Sequence, residues 1–250
     1  ADLLAIQMDN RAVFLERWQK LLLAVLSDQA VASQPTRAEL RDVVRGWAGR
    51  ASVDSAAYRL VRNFRLRVAE LAFAPFAEAA QQEYAGFTWR GFPYEDAVWR
   101  LANEKPAGLL DSKYASWDAL LLAAADDVAA TGRKGGPLAK YTWGERNRLS
   151  MKHPFSRFLP QWVAKWLNME PVPQAGDVDM PHVAGPVHGQ SERLVVSPGH
   201  EDQAIFHMPG GQSGNPLSPF YRAGHEAWVK GEPTPLLPGP TQHTLVLKPR

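Results

Sequence analysis

Apolar residues three and four positions apart dominate the first two-thirds of the chain, with charged residues between them. This spacing predicts a series of amphipathic helices. Leu3, Leu4, Ile6, Val13, Phe14, Trp18, Leu21, Leu22, Val25 and Leu26 predict a long element over about 1–27. Thr36-Arg37-Ala38-Glu39, directly after Pro35, has the form of a capping box and predicts a helix through Trp47. Asp54 or Ser55 is placed to cap the next helix, whose apolar positions are Tyr58, Leu60, Val61, Phe64, Leu66, Val68 and Leu71. Pro75 should kink or end it, because proline lacks the amide that the helix interior needs. Tyr94–Asn103, Ser116–Ala130 and Phe158–Met169 predict three more helices.

The pattern then changes. Arg193–Ser197 and Gln203–Met208 predict two short strands joined by a turn at Pro198–Asp202. Pro209–Pro219 reads as a glycine-rich loop and Ser218–Gly231 as a helix with Ser218 as cap and Pro219 in its first turn. Thr244–Leu247 predicts a closing strand. Helices first and strands last is the α+β pattern. Three regions follow: a mainly helical stretch over 1–170, an irregular Pro/Gly/His connection over 171–190, and strands with a Gly-Gly-Gln-Ser-Gly loop over 191–250.

Composition sharpens the division. Sixteen of the 20 prolines fall after residue 135, and all seven histidines lie at or beyond His153. Residues 1–150 hold 20 of the 28 basic and 18 of the 26 acidic residues, as solvated packed helices require. A length of 250 residues allows one sizeable domain or two small ones. The longest apolar stretch, Ala119–Ala125, is far short of the ~20 residues a membrane-spanning helix needs, so no membrane partner is expected. The absence of cysteine excludes disulfides, a thiol nucleophile and a thiolate metal site. A net charge of +2 gives no strong field toward nucleic acid or anionic lipid. A chain that opens at Ala1 on an amphipathic run, without initiator Met or leader, is expected to be a piece of something longer.

The candidate chemistry is sparse. His182 and His188, with Asp177 and Asp179, are metal-ligand types, but prolines and glycines separate them and solvated loop residues are the expectation. Arg59, Arg62, Arg65 and Arg67 form a basic stripe on one helix. A nucleic-acid contact is one reading, and an ion-paired helix face is the favoured one. Gly210-Gly211-Gln212-Ser213-Gly214-Asn215 lacks the Gly-Lys-Ser/Thr ending of a phosphate loop and the GxSxG of a nucleophile elbow. It is expected to be a tight turn whose side chains bond nearby backbone. The nine tryptophans, including Trp162 and Trp166 four apart, are expected to be packing anchors rather than a ligand cage.

A resemblance adds what spacing does not. Ser191-Glu192-Arg193-Leu194-Val195-Val196, the run Pro209 to Pro219, Tyr221, Trp228 and Thr244 to Pro249 resemble the end of the β subunit in the penicillin acylase family. Thr142-Trp143-Gly144-Glu145, His153-Pro154-Phe155-Ser156 and the opening Leu4-Ala5-Ile6-Gln7-Met8-Asp9 resemble the same family, in the same order. The resemblance implies N-terminal-nucleophile amidohydrolases, cut from a precursor into α and β chains and folded as a four-layered αββα sandwich. Such enzymes hydrolyse the amide of penicillins, acyl-homoserine lactones or acylated peptides. A Ser, Thr or Cys at the first β-chain position attacks, with its own amine as base.

By that resemblance the nucleophile, the oxyanion asparagine and the calcium ligands all fall outside this stretch. Ala1 carries no hydroxyl or thiol. The segment is therefore expected to be roughly the last half of a β chain, without a catalytic residue or cofactor of its own. Its partners would be the rest of the β chain, an α chain and an N-acyl small-molecule substrate, in the periplasm or outside the cell. Glu192, paired with Arg193, is the nearest candidate for an acidic residue that supports the catalytic centre in some members, with a plain surface ion pair as the other reading. Gln212 and Ser213 are expected to hold the loop's backbone. The alternative to an acylase fragment is a non-catalytic scaffold or interaction module that reuses this half of the fold.

Overall fold

The computed structural model describes residues 2–249. The chain divides into two units, one of residues 11–146 and one of residues 2–10 with 147–249. Helix α1 (Asp2–Gln7) belongs to the second unit, and α2 (Glu16–Val25), α3 (Asp28–Ala32), α4 (Pro35–Arg45), α5 (Ala56–Glu83), α6 (Glu95–Glu104), α7 (Trp117–Arg133) and α8 (Trp143–Arg146) to the first. The second unit continues with strand β1 (Arg148–Leu149), helix α9 (Gln161–Leu167), strands β2 (Val172–Pro173), β3 (Arg193–Val195) and β4 (Ile205–His207), and helix α10 (His225–Lys230). The architecture is α+β.

In the helical unit α5 packs along α7, and α2 and α4 close around both. The apolar spacing explains why: Tyr58, Leu60, Val61, Phe64 and Val68 of α5 are all buried, as are Leu120, Leu121 and Ala124 of α7. Trp18 of α2 is fully buried and meets Phe64 and Trp99 edge-on, with ring centres 6.3 and 5.1 Å away. Ser55 and Ser116 cap α5 and α7 by accepting the Tyr58 and Ala119 amides at 3.1 Å.

Three local expectations give way here, and the favoured ion-paired reading of the Arg59–Arg67 stripe holds. The element over 1–27 is interrupted, because Ala12 leaves helical geometry to donate its amide to Gly49 O at 2.8 Å. The Thr36–Glu39 capping box does not form. Gln34 stands at the cap without a side-chain bond, and Glu39 reaches across instead to Arg133 and to the Leu138 amide. Pro75 does not end α5, which runs on to Glu83. Its cost of ~3 kcal/mol is borne by the helix because the following residues, Ala77, Ala79, Ala80, Gln81 and Gln82, are mostly strong helix formers. The Arg59–Arg67 stripe turns to neighbours: Arg59 to Glu145, Arg65 to Glu95, Arg67 to Asp127 and Glu70, with Arg62 over the Trp143 ring.

In the second unit β1 pairs antiparallel with β2, and β3 with β4, in the register Arg193↔His207, Leu194↔Phe206 and Val195↔Ile205. Leu4 of α1, Val195 and Ile205 form a small core with Met8 packed against it. The helix expected over 218–231 is confined to α10, since Ser218 Oγ accepts the Phe220 amide at 3.2 Å in a turn rather than at a helix cap. Residues 244–247 form no strand. They are exposed, and no strand among the described residues lies beside them to complete a ladder. Among the described residues no helix is long and apolar enough to cross a membrane.

Candidate functional site

The motifs at Gln7, Ser191–Val196, Pro209–Pro219 and Trp228 are far apart in sequence but lie in one unit, where Arg193 ties several of them together. Alternation along β3 points Arg193 and Val195 inward and Leu194 outward, so a guanidinium enters the interior at 1% exposure. Its Nε donates to Gln190 Oε1 at 2.6 Å and its Nη1 to the Trp228 carbonyl at 2.5 Å. The guanidinium also lies 5.0 Å from the centre of the Trp228 ring. His207, opposite Arg193 in the register, is 3.4 Å from Nη1 through Nδ1 and 2.5 Å from the Glu232 carbonyl through Nε2. Those partners suit a ring that accepts at Nδ1 and donates from Nε2. Trp228 Nε1 donates to Gln190 O, and Gln190 Nε2 donates to Gln7 O and Pro181 O at 2.9 and 2.7 Å. Burial pulls the Arg193 pKa down to about 10, which leaves it charged at neutral pH.

His182 sits nearby at 4% exposure. Gly176, at φ +86°, allows the backbone to press against His182, where any side chain would collide with its carbonyl. The His182 amide donates to Asp9 O at 3.0 Å, while neither ring nitrogen has a hydrogen-bond partner. Burial, with the Arg193 charge adding to it, pushes the imidazole pKa down to about 4. His188 is exposed, and among the described residues no three His, Asp or Glu side chains gather as a metal site.

The glycine-rich loop is a chain of short bonds. Ser213 Oγ accepts the Asn215 amide at 3.1 Å, Asn215 Oδ1 accepts the Leu217 amide at 3.0 Å, and Gly211 N donates to Tyr221 O at 3.0 Å. Tyr221 OH reaches Leu167 O at 2.7 Å and His225 Nδ1 lies 2.6 Å from Pro209 O. Gly210 lies close to the Met169 methyl, and Gln212, Gly214 and Asn215 face solvent. A Cβ on Gly211 would collide with the Phe220 carbonyl, a backbone atom that cannot swing aside. Gly211→Ala is therefore expected to cost about 1–3 kcal/mol, read as a lower urea midpoint and faster exchange of the Gly211 amide. An unchanged midpoint would mean the loop is loose.

Several sequence readings change at this site. Glu192 is exposed and Arg193 turns away from it, toward Gln190, Trp228 and His207, so the pair expected between them is not made. Of the tryptophans expected to pack, Trp18, Trp47, Trp117, Trp143 and Trp228 are buried, whereas Trp162 and Trp166 are 71% and 53% exposed. Ala1 lies outside the described residues. The arrangement is one that holds chain in place: the Ser213 hydroxyl, the His207 and His225 imidazoles and the Arg193 guanidinium are engaged with backbone. Gln190, His207 and the inward Arg193 were not singled out from sequence, although the in–out alternation of a strand read at Arg193–Ser197 was the signal that could have found the last.

A family model described as penicillin amidase matches residues 1–243. The chain is 29% identical over 230 residues to a penicillin acylase 2 proenzyme of Pseudomonas sp. (strain SE83), a match covering 87% of this chain and 29% of that protein. It is 28% identical over 117 residues to the acyl-homoserine lactone acylase QuiP of Pseudomonas aeruginosa, covering 40% of this chain and 14% of that one. The chain thus spans less than a third of the length of either relative.

Proposed function

The chain belongs to the penicillin amidase family, and from that premise we propose that it is the C-terminal part of the β subunit of an N-terminal-nucleophile amidohydrolase. The observation that carries this reading is the family match over nearly the whole chain, joined to its coverage of 29% of an acylase relative named as a proenzyme. A precursor processed into chains fits that name. The reaction is hydrolysis of the amide bond of an N-acyl substrate: a nucleophile outside these residues attacks the acyl carbon, the amine leaves, and water releases the acid. The chain's own residues give that centre a supporting wall, through the Arg193–Gln190–Trp228 framework and the loop at 210–215. Calcium ligands, if the assembled enzyme has them, belong to the rest of the polypeptide, and the compartment is periplasmic or extracellular.

The test is intact-mass analysis of the protein produced from its full reading frame, with N-terminal sequencing of every chain found. A companion sequence beginning with Ser, Thr or Cys, together with hydrolysis of an acylated-amide panel, is the expected result. Amide hydrolysis by a lone 250-residue species would overturn the mechanism, and a lone inert species would favour a scaffold.

A further inference from the structure

The stretch from Pro154 to Leu167 carries four large aromatic side chains into solvent. Phe155 and Phe158, three apart on the single 3-10 turn Pro154–Phe158, are 66% and 70% exposed, and Trp162 and Trp166 stand four apart on one face of α9. The inner side of α9 is already occupied, with Ala164 buried and Val163 and Leu167 half-buried, so the tryptophans are not needed for its packing.

The surface is also held in shape. His153 N donates to Asn168 Oδ1 at 2.9 Å, Tyr221 OH donates to Leu167 O, and Arg222 Nη2 donates to the carbonyls of Lys165 and Asn168 at 2.9 Å. These last bonds satisfy carbonyls that a helix end leaves unpaired. Large aromatics on a fixed frame lose little entropy on binding and are the residue types that anchor protein interfaces.

Charge says what fits. Residues 152–167 contain Lys152, Arg157 and Lys165 and no carboxylate. The Arg157 guanidinium lies 4.6 Å from the Phe158 ring centre and the Lys165 ammonium 5.9 Å from that of Trp166, so the cations rim the aromatic patch. A complementary surface is apolar at its centre with carboxylates around it. A permanent, apolar contact of this kind suits polypeptide of the same precursor, and an acylase relative has more than two-thirds of its length outside the match. We infer that the Phe155–Phe158–Trp162–Trp166 face is the seat of a segment of the parent polypeptide outside these 250 residues, one that presents aliphatic side chains flanked by Asp or Glu. This rests on the reading of a longer parent given above.

Hydroxyl-radical footprinting of the full-length, processed protein tests it, with oxidation of Trp162 and Trp166 followed by mass spectrometry in the native state and in denaturant. Native oxidation of both tryptophans several-fold slower than in denaturant, unchanged by dilution or by added anionic phosphatidylserine vesicles, is the expected result. Native rates equal to the denatured ones, in a sample whose mass analysis shows a companion chain, would overturn this inference and leave the acylase reading intact. Protection that appears only at high concentration or only with vesicles would assign the face to a second copy or to a membrane and overturn it equally. If no longer parent polypeptide is found, the acylase reading fails first and this inference falls with it.

Discussion

Glu95→Ala is expected to destabilise the helical unit by about 1–3 kcal/mol, the usual cost of leaving buried donors without their acceptor. Glu95 opens α6, where a carboxylate also complements the helix dipole. Its Oε1 accepts from Arg17 Nη2 at 2.9 Å and Trp18 Nε1 at 2.7 Å, and its Oε2 from Arg65 Nε at 2.6 Å. Arg65 is buried, between the rings of Phe14 and Tyr94, and Trp18 is the largest fully buried side chain. Truncation leaves a buried cation without its carboxylate and a buried indole N–H without an acceptor. Partial burial alone would raise the Glu95 pKa, but the hydrogen bonds from Arg17, Trp18 and Arg65 outweigh it and hold the carboxyl below its ordinary value. Because that folded pKa is depressed, the contribution is present above the unfolded value and lost as pH falls through the folded one. Chemical denaturation followed by far-UV circular dichroism reads the effect. Glu95→Gln, which keeps an acceptor but not the charge, should cost less than alanine. Equal midpoints for wild type and alanine variant would refute the account.

The C-terminal unit should lose stability in mild acid, by of order 3 kcal/mol at most between about pH 6.5 and 4. The sign follows from His182. Its folded pKa is pushed down from 6.5 to about 4, so in that window the unfolded chain takes up a proton that the folded chain refuses, and stability falls as pH falls. The buried Arg193 charge makes a second positive charge costly there, and neither ring nitrogen has a partner to compensate. His182→Leu removes the titrating group without breaking a side-chain hydrogen bond. It is expected to flatten the dependence between pH 6.5 and 4 while leaving neutral stability equal or higher. Amide exchange of Val195 and His207, in the paired strands β3 and β4 of the same unit, measures it. A slope as steep in His182→Leu as in wild type would assign the acid sensitivity to other groups.

Signals that are local in the chain were legible. Ser55 is a cap because a serine with the right neighbours can bond an amide three residues on whatever surrounds it. The β3–β4 hairpin follows from two short apolar runs around Pro198-Gly199. Glu39 could not be read the same way, because two uses compete for one carboxylate. A capping box and a bridge to Arg133 and Leu138 look alike until α7 and the following turn are in place. At the candidate site, the loop at 210–215 was legible as a self-bonded turn in its Ser213 and Asn215 bonds, whereas Glu192 was joined to Arg193 by adjacency alone. Neighbours in a strand point to opposite faces, and that geometry separates them.

By itself the sequence determined the α+β order of elements, most helix positions and, through its ordered motifs, the family. These depend on periodicity, capping and residue identity along a line. Only the tertiary structure decided that Arg193 lies inside on neutral partners, that His182 is buried without any, and that Trp162 and Trp166 face outward. An i,i+4 pair has the same spacing on either face of a helix, and an arginine in a strand is equally regular pointing in or out. Which face is buried is settled by the surfaces the rest of the chain brings against it.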